Sequence, residues 1–215
     1  SSVSGKLIAP ASKSAMQRAV ACALLAQGRS EIIKPSFCDD ALAAMHMAEC
    51  LGADIDRLAD RVIIKGAYQP SCSRIYCGES GLGARVFTVL SALGSDWMEI
   101  EGSGSLLRRP LHILAETLMQ LGVEVTTTNG FLPLKVKGPM KGGLAFVDGS
   151  VSSQVLTGLL IALPTLDADS RIVVNKLKSK PYIDLTLNIL GHFGVELVNE
   201  DYKVFSLSLI HISEP

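Results

Sequence analysis

One pattern recurs three times along this chain, and few architectures accommodate it. The runs Leu51-Gly52-Ala53, Leu121-Gly122-Val123 and Phe193-Gly194-Val195 stand 70 and 72 positions apart. Each opens an alternating apolar stretch, a polar turn and a second strand, which together read as a hairpin. Upstream of each glycine lies an amphipathic run, at 39–50, 108–120 and 182–192, with apolar residues three and four apart. That spacing predicts a one-sided surface helix stopped near the glycine. Further upstream, residues 14–28, 81–94 and 152–166 are apolar nearly all round, so these helices belong inside. Strand-like stretches flank each buried helix, at 5–10 and 30–34, 74–79 and 97–102, and 144–150 and 170–175.

The unit is therefore βαβαββ. Seventy residues exceed the roughly 20–50 of ordinary solenoid repeats, and a linear array would expose the apolar helices. The expected fold is α/β (α+β), with three units around a pseudo-threefold axis. Three buried parallel helices stand at its centre and the sheets outside.

Composition narrows the function. Of 215 residues 48% are apolar, enough for a well-buried core. A net charge of −1 gives no pull toward nucleic acid or an anionic membrane, and 5% aromatics leave no stacking platform for single strands. No apolar run is long enough to span a bilayer, and the first residues lack a signal-peptide pattern. The five cysteines show no zinc-type spacing or disulfide framework, which suits a reducing, cytoplasmic setting. Cys22 and Cys50 read as small buried thiols, and His46, His112 and His192 as ordinary packed or solvated residues, so no metal site is expected. Met45 and Met47 read as core-facing. No nucleotide-binding glycine motif is present.

Any anion site must then be local. Parallel helices bring their N-termini to one face, where unpaired N–H groups and the helix dipole attract anions. The three ends read Ser12-Lys13-Ser14 with Arg18, Glu79-Ser80-Gly81 with Arg85, and Ser150 to Gln154. Serines at helix starts are most often plain caps. Arginines inside apolar helices need partners, since an unpaired buried charge costs several kcal/mol, about a third or more of net stability. The partners of Arg18 and Arg85 are either a bound carboxylate or phosphate, or an internal acid such as Glu79. Arg108-Arg109-Pro110 is placed at the start of the second surface helix, where Arg109 can grip an anion or simply be solvated. Ser179-Lys180-Pro181-Tyr182 holds the matching position in the third unit and Asp39-Asp40 in the first.

At these residues a family becomes visible. "PASKSAMQRA", the Arg109-Pro110 pair, "DGSVSSQ" and "SKPYIDLTLNIL" resemble, in order, segments of 5-enolpyruvylshikimate-3-phosphate synthases, over about Gly5 to Phe205. The resemblance implies a domain of three βαβαββ units and transfer of the enolpyruvyl group from phosphoenolpyruvate to shikimate 3-phosphate. The reaction proceeds through a tetrahedral intermediate and needs no cofactor. It implies that Lys13 is catalytic and touches both substrates. It places shikimate 3-phosphate against Ser14, Arg18, Ser152, Ser153, Gln154, Ser179 and Tyr182, and phosphoenolpyruvate against Gly81, Arg85, Arg109 and Gln154. Two departures stand out: Glu79-Ser80-Gly81-Leu82 replaces the family's Asn-Ala-Gly-Thr, and Ala11 a glycine.

On this reading residues 1–206 are the shikimate 3-phosphate-binding half, with 1–10 doubling as a hinge strand. Residues 207–215 form a tail foreign to the family, and the second domain, with its catalytic aspartate and glutamate, is missing. The chain alone is expected to lack turnover. Two other readings are a non-catalytic phospho-ligand binding domain and the sister enolpyruvyltransferase acting on UDP-N-acetylglucosamine. The Ser152-Ser153-Gln154 and Ser179-Lys180-Pro181-Tyr182 combination favours the shikimate enzyme over the latter.

Overall fold

The computed structural model describes residues 4–5 and 9–208. The first unit contains α1 (Lys13–Leu25), β1 (Gly28–Ile33), α2 (Asp39–Cys50), β2 (Asp54–Arg57) and β3 (Arg61–Gly66). The second contains β4 (Arg74–Tyr76), α3 (Gly81–Ser91), β5 (Met98–Glu101), α4 (His112–Gln120), β6 (Glu124–Thr128) and β7 (Phe131–Lys137). The third contains β8 (Leu144–Asp148), α5 (Gln154–Ala162), β9 (Ser170–Asn175), α6 (Lys180–His192), β10 (Val198–Glu200) and β11 (Val204–Leu207). The strand expected at the head of the first unit falls largely on residues 6–8, outside the described residues, as does the tail beyond residue 208.

Each unit makes its own sheet, and the sheets share one order. The second runs β4-β5-β7-β6 and the third β8-β9-β11-β10. Among the described residues the first runs β1-β3-β2, the same order without its leading strand. In the second and third sheets the leading pair is parallel, because a helix crosses between its strands, and the remaining pairs are antiparallel. Leu207 pairs with Ser170, is buried and closes the last strand.

The two kinds of helix divide as their patterns require. All eleven residues of α3 are buried, and so is α5 from Val155 to Ala162. In α2 only Ala41, Ala44, Met45, Met47 and Ala48 are buried, a stripe at helical spacing with His46 outside it. The buried helices α1, α3 and α5 each touch the other two. Gly158 of α5 permits the closest approach: a methyl there would meet Val89 Cγ2 at 2.9 Å and Val86 Cα at 3.3 Å.

The repeated glycines have one physical cause. Gly52, Gly122 and Gly194 have φ of 114°, 80° and 74°, a region closed to most side chains, just after a surface helix ends. Among the described residues no helix is long and apolar enough to cross a membrane.

Edge strand β8 is covered by a side chain. Gln120, the last residue of α4, accepts from the Phe146 backbone N–H at 2.8 Å and donates to its carbonyl at 3.1 Å. Its amide thereby mimics the next strand of the sheet.

Candidate functional site

The starts of α1, α3, α5 and α6 meet around a cavity of about 220 Å³ lined by Ser14, Arg18, Leu82, Val151, Ser152, Ser153, Gln154, Ser179 and Tyr182. Among the described residues no carboxylate lines it. Beside it, a methyl added to Gly81 would lie 2.7 Å from Arg109 Nη1, 3.4 Å from Arg85 Nη1 and 3.6 Å from Gln154 Oε1. Gly81, Arg85, Arg109 and Gln154 thus form an adjoining cationic patch, and Gln154 belongs to both. Of the residues to which the resemblance assigns a ligand, all but Lys13 fall in one of these two groups. Lys13 stands next to them at the start of α1, close enough for its charge to be felt by Arg109.

The serines separate into caps and uncommitted hydroxyls. Ser12 caps α1 by accepting from the Ala15 N–H at 3.2 Å, and Ser80 caps α3 by accepting from the Gly83 N–H at 3.0 Å. Ser153 and Ser179 hold the capping positions of α5 and α6, yet neither side chain makes a capping bond. For Ser12 and Ser80 the plain structural role suffices. The hydroxyls of Ser153 and Ser179 line the cavity instead.

Arg18 is 2% exposed and has only neutral partners. Its Nε donates to Thr186 Oγ1 at 2.8 Å, Nη1 to the Ser14 carbonyl at 2.8 Å, and Nη2 to the Tyr182 carbonyl at 3.3 Å and Thr157 Oγ1 at 3.4 Å. The Tyr182 ring lies 6.0 Å from the guanidinium. Arg85, also buried, donates to the Gly81 carbonyl at 3.0 Å and the Pro110 carbonyl at 3.1 Å. Burial pushes both arginines down to about 10, and neighbouring Arg109 adds to the effect on Arg85. Neutral acceptors take up part of their donor capacity but leave the charge uncompensated, which is the electrostatic condition for attracting an anion.

Three expectations need correction. Glu79 is not the partner of Arg85: it accepts from the Ser105 backbone N–H at 2.9 Å, which holds its carboxyl below the usual range. Arg109 does not open a helix. It ends a short 3-10 helix, Gly104–Arg108, and α4 begins only at His112. The cause is Pro110, which forces the residue before it out of the helical region; Arg109 has φ −92° and ψ 122°. Cys50 is half-buried rather than a core thiol, and its sulfur lies 2.7 Å from that of Cys72.

Some contacts that shape the site carried little sequence signal. Asp40 receives a hydrogen bond from Lys13 Nζ at 2.9 Å, and that bond, with the attraction of the two charges, raises the lysine above its ordinary 10.5. Ser80 Oγ donates to Gln17 Oε1 at 2.7 Å, tying the start of α3 to the first turns of α1. A glutamine buried within an apolar helix was the available hint for that contact. Thr157 and Thr186, whose hydroxyls lie 3.2 Å apart, complete the surroundings of Arg18 and are indistinguishable in sequence from ordinary helix residues.

Comparison with known proteins agrees in extent and fold. The family model described as EPSP synthase (3-phosphoshikimate 1-carboxyvinyltransferase) matches residues 1–206. The 3-phosphoshikimate 1-carboxyvinyltransferase of Clostridium beijerinckii is 36% identical over 94% of this chain and 49% of its own length. That of Methanocorpusculum labreanum is 37% identical over 96% and 50%. The chain spans about half the length of the curated relatives it matches. A solved EPSP synthase from Acinetobacter baumannii superposes with a TM-score of 0.82 at 25% identity, covering 95% of this chain and 46% of that one. The enolpyruvyl transferase NikO from Streptomyces tendae, 12% identical with a TM-score of 0.59 over 91% of this chain and 46% of its own, shares the fold.

Proposed function

The chain belongs to the EPSP synthase family, and we propose that it is the shikimate 3-phosphate-binding half of an enzyme that transfers the enolpyruvyl group of phosphoenolpyruvate to that acceptor. The observation that carries the reading is the cavity at the helix starts, with uncommitted Ser153 and Ser179 hydroxyls beside a buried, acid-free Arg18. Helix-start N–H groups, hydroxyls and a guanidinium are the donor set that a phosphate and a carboxylate on one small molecule require.

In this reading Ser152, Ser153 and Ser179 take the acceptor's phosphate. Ser14 and Arg18 hold its carboxylate and ring, and Tyr182 borders the pocket. Gly81, Arg85 and Arg109 take phosphoenolpyruvate, and Gln154 lies between the two ligands. Lys13 is the catalytic group of this half, a cation near the attacking hydroxyl and the departing phosphate. No cofactor enters. Residues 1–206 act as one domain; the complementary half and a cytoplasmic setting belong to the same proposal.

A second reading applies to the chain by itself. Enolpyruvyl transfer needs proton donors and acceptors at the reacting carbons, and among the described residues the cavity lining includes no carboxylate. The isolated chain therefore binds its ligand without turnover. Calorimetric titration of the Ser152→Ala/Ser153→Ala variant tests the site: shikimate 3-phosphate should weaken much more than shikimate. Equal weakening of the two ligands removes the phosphate assignment. Tighter binding of UDP-N-acetylglucosamine than of shikimate 3-phosphate would reassign the acceptor. Phosphate release by the isolated chain with both substrates would overturn the binding-only reading.

A further inference from the structure

Two thiols meet where the first unit hands over to the second. Cys50 is the last residue of α2, and Cys72 lies in the segment 67–73 joining β3 to β4. Their sulfurs are 2.7 Å apart, against about 2.05 Å in a covalent disulfide. Both residues are half-buried.

The backbone around them is already fastened. The Gln69 N–H donates to the Leu51 carbonyl and the Ser71 N–H to the Cys50 carbonyl, each at 2.9 Å. Gly52 makes this close passage possible, since a methyl there would lie 2.6 Å from both the Ala67 carbonyl oxygen and the Gln69 nitrogen. The thiols therefore face each other across a frame already fastened by two backbone hydrogen bonds. The repeat supplies a control within the same chain. At the matching place in the second unit, two positions before Gly122, stands Gln120, and residues 138–143 contain no cysteine. The pairing is thus particular to the first unit and not a by-product of the repeat. Among the described residues no other two thiols meet in this way: Cys22 and Cys77 are buried in the core and Cys38 is exposed.

We propose that Cys50 and Cys72 are a redox-active pair that closes reversibly into a disulfide, fastening the end of α2 to the segment that crosses between the first two sheets. The oxidant is a low-molecular-weight disulfide such as oxidised glutathione. One protein thiolate attacks it, forming a mixed disulfide and releasing one small thiol. The second protein thiolate then displaces the other small thiol and forms the Cys50–Cys72 bond. Two protein S–H bonds are lost, one small S–S bond is reduced and two small thiols leave, so electrons and protons balance. Burial, reinforced by the adjoining Cys72 sulfur, raises the Cys50 thiol well above its ordinary range. Closure is accordingly slow at neutral pH and quickens as the solution becomes alkaline.

The test equilibrates the whole chain across ratios of reduced to oxidised glutathione, then uses rapid alkylation, proteolysis and mass spectrometry. The expected result is joint loss of alkylated Cys50 and Cys72 peptides and appearance of one species linking them. Reductant should reverse it, while Cys38 does not join that species. The denaturant midpoint should rise on oxidation in the native chain and stay unmoved in Cys72→Ser. The proposal is overturned if both thiols remain alkylatable at the most oxidising ratio, if they stop at mixed disulfides, or if the links formed are between chains.

Discussion

Arg18 and Thr186, 168 positions apart, are joined by a 2.8 Å hydrogen bond that fastens α1 to α6 beneath the candidate ligand cavity. Thr186 also donates to the Tyr182 carbonyl at 2.9 Å, so one hydroxyl orients both the guanidinium and the first turn of α6. Thr186→Val keeps the shape and removes the acceptor. Leaving a buried charged donor unmet costs about 1–3 kcal/mol. The urea midpoint should fall by the corresponding amount; an unchanged midpoint would mean that water replaces the threonine.

Arg18→Met separates stability from binding. Exchanging a buried charge for an apolar chain of similar volume is commonly neutral or stabilising by about 1–4 kcal/mol. Here that gain is offset by the loss of the four hydrogen bonds that the guanidinium makes. The variant should unfold near the native midpoint yet lose calorimetric binding of shikimate 3-phosphate. Retained binding would remove Arg18 from the site.

Gly158→Ala pits two known effects against each other. Alanine favours a helix over glycine by roughly 1 kcal/mol. The new methyl would sit 3.1 Å from Val89 Cβ and 3.3 Å from Val86 Cα, atoms that move only with α3 itself. Overpacking of this kind costs about 1–3 kcal/mol, so the variant should be the less stable one in chemical denaturation. A gain in stability would show that α3 and α5 have room to separate.

Asp40→Asn should bring Lys13 back toward 10.5, the value from which the carboxylate now raises it. Because the folded value is the higher one, whatever the pair contributes to folding is fully present below 10.5 and vanishes as pH rises through the titration of Lys13. Lysine side-chain NMR titration checks the shift. Thermal melts of the two proteins should converge in strong alkali.

Gln120→Ala strips the cover from β8 at Phe146. Losing a hydrogen bond worth about 1 kcal/mol corresponds to roughly fivefold faster opening. Hydrogen exchange at the Phe146 amide should accelerate by about that factor, with Val147, which pairs with Val174, much less affected.

Periodicity made the repeats legible, because a buried helix and a one-sided helix place their apolar residues differently, as α3 and α2 do. The site was legible in part for a related reason: a helix start is a local event, and Ser14, Gly81 and Ser153 could be placed from sequence neighbours alone. Arg109 was misplaced because the constraint of the proline after it outweighed the helix-start preference for Pro110 itself. Tertiary meetings left no such mark. Nothing near Thr186 announces Arg18, and nothing near Cys72 announces Cys50, since each contact depends on how whole units abut.

The same three-part plan places different side chains at matching positions: Asp40 where the first surface helix begins, Arg109 ahead of the second, Ser179 and Tyr182 at the third. A molecule lodged among them meets a hydroxyl-bearing wall on one flank and guanidinium groups on another. A small acid bound as proposed would therefore meet different chemistry on its two flanks, and the way it lies would be set by side chains and not by the repeated backbone plan.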